Sequence, residues 1–271
     1  MKHLEPDRTG GSDGSLVHTA RFSAGLAPSE REVEEAQRLR YRVFADELGA
    51  RMPESAAGLD RDDLDPFCRH LLVRERASGL LVGTYRILRA EGARHAGGFY
   101  AEREFDLRRL HGLGPLTVEV GRACVHPDFR HGAVIALLWA ALLRYLNASD
   151  SRYVMGCASV GLATGREAAA AVCGRLCEEH LGPERWRVFP RLPFATRGWS
   201  RALAVEPPPL IRGYVRLGAF VCGEPAWDPE FNTADLLMLL PLAQLERRHA
   251  RWLLRLGETT SATGGSRNHA A

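Results

Sequence analysis

The stretch LTVEVGRACVHPDFRHGAVIALLW, residues Leu116 to Trp139, decides the fold. Its first part, Leu116 to Val125, carries four β-branched side chains and reads as a strand. His126-Pro127 closes that strand, because proline has no amide hydrogen to give to a ladder. A short basic loop follows, Asp128-Phe129-Arg130-His131-Gly132. From Gly132 to Leu146 the chain is apolar nearly all round, which predicts a buried helix. The first turn of such a helix presents unpaired N–H groups and a partial positive charge, a setting that accepts phosphate. Arg130 and His131 stand where that phosphate would be met.

Downstream, Tyr153 to Val160 reads as a strand and Gly165 to Leu181 as an Ala-rich helix. Upstream, Leu16 to Phe22 alternates like a strand. Ser29 and Glu32 have the spacing of a capping box, opening a helix to about Leu48 that Gly49 stops. An acidic loop, Asp60 to Pro66, precedes two apolar runs, His70 to Arg74 and Leu80 to Leu88, joined by Ser78-Gly79 as a hairpin. Residues 90–115 are loop-rich with room for a short helix, and 182–212 are a Pro- and Arg-rich connection. Tyr214 to Cys222 and Asp235 to Leu240 read as late strands, and Leu242 to Leu256 as a closing helix. The expected fold is a single mixed α/β (α+β) domain over 15–257, between polar tails at 1–14 and 258–271. The order is not a regular βαβ alternation, and no G-x-G-x-x-G or P-loop is present.

The 271 residues are 45% hydrophobic and 25% charged, which excludes wholesale disorder and collagen-like repeats. A formal charge of +3 is too balanced to point to nucleic acid. Lys2 is the only lysine; every other basic residue is arginine, whose planar fork suits phosphate and carboxylate. No apolar run approaches the ~20 residues of a membrane span, and the N-terminus has no signal-like apolar core, so the expected compartment is the cytoplasm. The six cysteines are expected to be reduced; Cys173, Cys177 and His180 fall on one helix face rather than in a zinc pattern, so no metal is expected. Cys124 and Cys157 lie in apolar strands and read as packing residues rather than nucleophiles.

The strand-loop-helix resembles the acyl-donor motif of the N-acetyltransferase (GNAT) superfamily, R-x-x-G-x-G/A, on Arg130-His131-Gly132-Ala133-Val134-Ile135. The resemblance implies a central mixed, mostly antiparallel twisted sheet flanked by helices. It also implies donor contacts from Arg130, His131, Gly132 and Ala133. Ala133 and Ile135 occupy the two glycine positions that let the superfamily's loop wrap a coenzyme A pyrophosphate. A donor with a single phosphodiester, the phosphopantetheine of acyl carrier protein, fits that change better. Leu39-Arg40-Tyr41-Arg42-Val43-Phe44 is similar to the first-helix motif of acyl-homoserine lactone synthases. Their paired aspartates correspond to Asp62 and Asp65, their strand arginine to Arg86, and their Glu-x-x-Arg to Glu119 and Arg122. Their tryptophan after the first helix is replaced by Ala50-Arg51.

From about residue 30 to 243 the chain most resembles the ornithine lipid acyltransferases. The specific runs are EVGRACVHPDFRHGAVIALLW, MGCASV and PPLIRGYVRLGAFVCGEPAWDPEFNTADLLMLLPL. This implies transfer of a 3-hydroxyacyl chain from acyl carrier protein to the α-amino group of L-ornithine, giving a lyso-ornithine lipid, with no permanently bound cofactor. The alternatives are a lactone synthase, a coenzyme A-dependent acetyltransferase of a small amine, or an idle module that binds acyl carrier protein.

Within that frame, Glu119 on the core strand is the expected base, its pKa raised by burial. Strict alternation puts Arg122 on the opposite face, unless a bulge at Gly121 brings the two together. Asp62 and Asp65 would hold the two ammonium groups of ornithine, or form a solvated acidic turn. Arg40 faces either substrate or an ion-pair network with Asp62, Asp65 and Glu119. Asp228, Asn232 and Asp235 in AWDPEFNTAD are further substrate contacts on a rigid loop. Backbone N–H groups after Glu119 would stabilise the oxyanion, and Tyr153 or Tyr214 would protonate the leaving thiolate. Arg185, Arg187, Arg191, Arg197 and Arg201 form a local basic excess suited to acidic acyl carrier protein, or a solvated loop. The closing helix either packs on its own domain or contacts the inner face of the membrane through Leu242, Leu245, Trp252, Leu253 and Leu256.

Overall fold

The computed structural model describes residues 15–51, 58–196, 198, 200, 203–245 and 247–256. The expected tails lie outside these residues. The strand expected at Leu16–Phe22 is two strands, β1 (Ser15–His18) and β2 (Phe22–Leu26). Thr19 makes the turn between them: its Oγ1 accepts from the Phe22 amide at 2.9 Å, and its own amide donates to the Phe22 carbonyl at 2.8 Å. The alternating pattern therefore runs straight across a turn.

Helix α1 (Glu30–Tyr41) continues as a π-helical turn, Arg42–Glu47, and Gly49 ends it at φ +74°, a conformation that favours glycine. The capping box does not form. The Ser29 hydroxyl donates to the Glu32 carboxylate at 3.1 Å and caps no amide. The expected hairpin is β3 (Arg69–Glu75) and β4 (Leu81–Arg89), followed by α2 (Ala90–Ala96). β5 (Phe105–Asp106) is a two-residue strand before β6 (Thr117–Val125), α3 (Ala133–Asn147), β7 (Tyr153–Gly161) and α4 (Arg166–His180). β8 (Phe189–Pro190) pairs with β5 in a small separate sheet.

The late strand expected at Tyr214–Cys222 is corrected to a helix, α5 (Pro209–Arg216), and a short strand, β9 (Phe220–Val221). A run of three prolines sets up the helix start, where the missing N–H of Pro209 does no harm. Ile211 and Tyr214, three apart, are buried on its inner side. β10 (Ala226–Asp228) and β11 (Thr233–Pro241) form a hairpin, and α6 (Arg247–Arg255) follows.

Nine strands form one sheet in the order β1-β2-β3-β4-β6-β7-β11-β10, with β9 beside β11. Only β6 and β7 run parallel, joined through α3; every other pair is antiparallel. The mixed, mostly antiparallel sheet flanked by helices matches the expectation. Strand alternation sends Leu71, Val73, Tyr85 and Ile87 toward α3 and Leu72 toward α1, and a register shift in the β3–β4 ladder turns Leu81 to the α1 side as well. In α3, Leu138, Leu142 and Leu146 are buried, each contributing roughly 2 kcal/mol.

The β6–β7 ladder is short. It joins Thr117, Val118 and Glu119 to Tyr153, Val154 and Met155, and then the strands separate. At the last point of approach a Cβ on Gly156 would sit 2.3 Å from the Val120 carbonyl oxygen. Gly156→Ala is therefore expected to lower stability by about 3 kcal/mol, read as a shift of the urea midpoint. Gly161→Ala on the same strand meets nothing within 4 Å and serves as the control; equal shifts in the two variants would show that the close approach is not the cause.

Candidate active site

The gap left by the parting strands holds a cavity of about 220 Å³. Arg86, Glu119, Arg122, Asp228, Phe231 and Asp235 are among its lining residues. Glu119 lies opposite Leu88 of β4, on the sheet face away from α3. It is buried, and both its oxygens accept backbone amides, Oε1 from Ala101 at 2.8 Å and Oε2 from Tyr100 at 2.6 Å. These amides open a 3-10 turn, Tyr100–Arg103, so the carboxylate sits at its positive end. Burial pushes the Glu119 pKa up, the two amide hydrogen bonds pull part of that back, and the result is about 7.

Arg122 has φ +52°, unusual for a residue with a Cβ. The β4–β6 register slips here, pairing Thr84 with Cys124 and Arg86 with Gly121, so β6 holds one extra residue opposite Tyr85. This bulge turns Arg122 onto the face that carries Glu119. Its guanidinium carbon lies 4.5 Å from the Phe231 ring centre and 5.0 Å from that of Tyr100. Its Nε stands 3.2 Å from Asp60 Oδ2 and its Nη2 3.5 Å from Asp62 Oδ2. Those contacts offset the cost of the left-handed backbone, of order 1–2 kcal/mol.

Behind the cavity wall lies a lattice of three arginines and three aspartates. Arg40 is fully buried and donates to Asp60 Oδ2 at 2.9 Å and to both oxygens of Asp65 at 3.0 Å. Arg86 donates to Asp62 Oδ1 at 2.6 Å. Asp62 also accepts the amides of Leu64 and Asp65, and Asp65 accepts that of Asp62. Burial alone would raise both carboxyl pKa values; Arg86 beside Asp62 and Arg40 beside Asp65 reverse it and hold both below the usual range. The lattice is closed: opposite charges are equal in number and each carboxylate oxygen of Asp62 and Asp65 is engaged.

The far end of the cavity is open in the same sense. The carboxylates of Glu104, Asp228 and Asp235 each place an oxygen within 4.8 Å of the others. Asp228 Oδ1 accepts the amides of Glu230 and Phe231 at 2.8 and 3.0 Å, which fixes its side chain. Among the described residues no cation is ion-paired to any of the three. Burial, then mutual repulsion, raises the pKa of Glu104, and burial likewise raises that of Asp235.

The acetyltransferase (GNAT) domain family matches residues 39–140. The L-ornithine N(alpha)-acyltransferase of Rhodobacter capsulatus is 36% identical over 86% of this chain and 95% of its own length. That of Agrobacterium fabrum is 36% identical over 88% and 87%. The chain belongs to the L-ornithine N(alpha)-acyltransferase family. It is an N-acyltransferase of the GNAT class. In fold it is similar to FeeM, an N-acyl amino acid synthase from uncultured soil microbes, with a TM-score of 0.51 at 16% identity, over 86% of this chain and 99% of that one.

In this member of the L-ornithine N(alpha)-acyltransferase family, Arg86, Glu119, Arg122, Asp228 and Asp235 come together in one cavity wall. Arg40, Asp62 and Asp65 do not line it. The expectation that Asp62 and Asp65 hold substrate ammonium groups is corrected: their oxygens are committed to Arg40, Arg86, Arg122 and local amides. Arg40 belongs to the ion-pair network, whose partners are Asp60 and Asp65 and not Glu119. Asn232 takes a left-handed turn position, φ +52°, between β10 and β11. Tyr214 lines the cavity with its hydroxyl against that of Tyr85, whereas Tyr153 packs with Trp186 elsewhere.

The donor loop residues Arg130, His131, Gly132 and Ala133 are exposed at the mouth of α3 and outside the cavity wall. Arg130 is bound to Glu47, with Nη2–Oε2 at 2.7 Å, and donates from Nε to the Val125 carbonyl at 3.1 Å. Gly132 caps α3 at φ +93°, so glycine is required there for the backbone alone. In the basic stretch, Arg185 and Arg191 are exposed and Arg187 is half-buried; Arg197 and Arg201 lie outside the described residues. α6 packs on α3, with Ala250 and Leu253 buried and Arg144 donating to the Leu254 carbonyl at 2.9 Å. Trp252 departs from the expected apolar side and is 53% exposed. No helix among the described residues is long and apolar enough to cross a membrane.

Sequence reasoning missed Asp60, Tyr100 and Glu104. Asp60 stood in the acidic loop it had marked, but no periodicity singled it out. Tyr100 and Glu104 fall in a segment with neither strand nor helix pattern. Arg40→Met would remove the buried cation shared by Asp60 and Asp65 and leave them only Arg122 and Arg86, and should cost about 3 kcal/mol in a urea melt; a loss under about 1 kcal/mol would mean that the lattice does not brace the wall.

Proposed function

We propose that the chain transfers a 3-hydroxyacyl group from the phosphopantetheine thioester of acyl carrier protein to the α-amino group of L-ornithine, giving a lyso-ornithine lipid. The observation that carries this reading is Glu119: a buried carboxylate with a pKa of about 7, facing a cavity in the parted sheet. An α-ammonium, with a pKa of about 8, is mostly protonated at neutral pH and must lose a proton to attack. Glu119 takes it, directly or through a water. The free amine adds to the thioester carbon, the C–N bond forms, and the C–S bond breaks as the tetrahedral intermediate collapses. The thiolate leaves and is reprotonated; Tyr214, which lines the cavity with Tyr85 and Tyr100, is a phenol kept protonated by burial.

Beyond Glu119, β6 has no ladder partner on its β7 side. Backbone N–H groups there are available to the thioester oxygen as charge develops on it. Arg122 and Arg86 present guanidinium groups at that wall, and these take the substrate carboxylate. The acyl chain lies in a second, mainly apolar cavity of about 100 Å³ lined by Leu107, Leu110, Leu113, Met155 and Leu239. The donor phosphate meets the first turn of α3, where Arg130 exchanges Glu47 for it and His131, Gly132 and Ala133 border it. The exposed arginines at 185 and 191 steer the acidic carrier protein, and α6 faces the membrane through Trp252 as the lipid product leaves.

Purified chain with 3-hydroxyacyl carrier protein and L-ornithine should release an N-acyl product seen by mass spectrometry. Turnover of acyl-coenzyme A alone would overturn the donor, and a lactone made from S-adenosylmethionine would overturn the acceptor. Arg130→Ala should raise the KM for the acylated carrier protein with little change in kcat, measured under saturating ornithine.

The pH profile follows from Glu119. Below about 7 the carboxyl is protonated and cannot accept a proton, so kcat should rise tenfold per pH unit to about 7 and then level off. Glu119→Gln should lower kcat by about 10²–10⁴ and remove that limb; a variant as fast as the parent across the range would assign the base elsewhere.

A further inference from the structure

The carboxylates of Glu104, Asp228 and Asp235 come from three separate segments, the loop before β5, the end of β10 and the start of β11. They converge with oxygens within 4.8 Å of one another. Asp235 is 3% exposed, lines the cavity, and has no hydrogen-bond partner for Oδ1. Glu104 is likewise buried, against the Tyr100 and Cys157 side chains and facing Asp235, and among the described residues no cation reaches it. A buried carboxylate without a counter-ion is costly to ionise, and three together more so, unless a cation completes the group. The protein supplies cations generously elsewhere: Asp60, Asp62 and Asp65 are matched by Arg40, Arg86 and Arg122. At this end of the cavity it supplies none.

We propose that Glu104, Asp228 and Asp235 cradle the side-chain ammonium of the amino-acid acceptor and so select a diamino acid over one with an uncharged side chain. This rests on the acyl-transfer reading above and assigns the second cation of its substrate. The spacing suits it. Glu119 lies opposite Met155 and Asp235 opposite Ser159 on the two sides of β7, so their backbones are roughly 16 Å apart, and both side chains reach into the one cavity and close part of that distance. The nitrogens of an extended three-methylene diamino acid are about 6 Å apart, and a hydrogen bond of about 2.8 Å at either end brings the reach to about 12 Å. The α-nitrogen then meets Glu119 while the distal nitrogen meets the cluster, with Cys157 between the two. Asp228, held by two backbone amides, is the rigid member; Glu104 is the specificity residue that no local pattern revealed.

Calorimetric titration of the full chain with L-ornithine, L-norvaline and Mg²⁺, each alone and without acyl donor, tests this. Norvaline has the same carbon chain and lacks the distal amine. Ornithine should bind at least tenfold more tightly than norvaline. Asp235→Asn should weaken ornithine tenfold or more and leave norvaline within about twofold. Glu104→Gln should do the same, so the result stands on a second variant if one fails to fold. Equal affinity for the two amino acids, no ornithine binding, or ornithine binding unchanged in both variants would overturn the proposal. Mg²⁺ binding that Asp235→Asn abolishes and ornithine does not displace would overturn it in favour of a metal site. Selective ornithine binding without acyl transfer from the carrier protein would leave this cradle intact and remove the proposed reaction instead.

Discussion

β6 and β7 share three ladder pairs and then part, and most of what is distinctive in the molecule depends on that separation. Opening a sheet exposes backbone groups and polar side chains inside the protein, where each needs a partner. The long α3 helix, buried on nearly every side, keeps the two strands in their parallel crossover while the gap remains. Gly156 marks the last point of contact, because only a residue without a Cβ lets β7 lie against the Val120 carbonyl. Full-length pairing of β7 with β11 on its other side holds the far wall in place. The cavity is therefore a product of strand register, and is not a cleft between separate bodies.

Two kinds of buried charge surround this gap, and they differ in whether the protein has already neutralised them. The lattice of Arg40, Arg86 and Arg122 with Asp60, Asp62 and Asp65 is closed, and it fixes the positions of the two arginines that reach the cavity. Removing either sign would strand the other in a poor dielectric. Glu119 is intermediate: two amides hold its carboxylate in place, yet no counter-ion sits on it, so its proton affinity stays close to neutrality. Glu104, Asp228 and Asp235 are open, with no cation ion-paired to them among the described residues. This gradation gives the cavity a wall of braced guanidinium groups, a titrating centre and an end of carboxyl groups whose ionisation a bound cation would favour. That polarity is what a substrate with one carboxylate and two amines would require.

Much of the fold was legible because it is written in local periodicity. The hairpin of β3 and β4, the strand-loop-helix of β6 and α3, and the Ala-rich α4 all stand close to where their patterns put them. Two readings failed for local reasons. Alternation at residues 16–22 ran across a turn made by Thr19, and the apolar run around Tyr214 was taken as a strand although a triple proline opens it as a helix. The bulge on β6 was expected at Gly121 and lies at Arg122, the bulkier residue, because rings and carboxylates hold its guanidinium.

By itself the sequence determined most of the long elements, the family resemblance and the burial of Glu119, since period and prolines act over a few residues and need no distant partner. Only the tertiary structure decided which charges meet. Arg40 reaches Asp60 and Asp65; Asp62 and Asp65 turn inward to brace arginines; Glu104 joins Asp228 and Asp235 from more than a hundred residues away. Coulomb attraction reads distance in space and desolvation, and neither is encoded in the spacing of acids and bases along the chain.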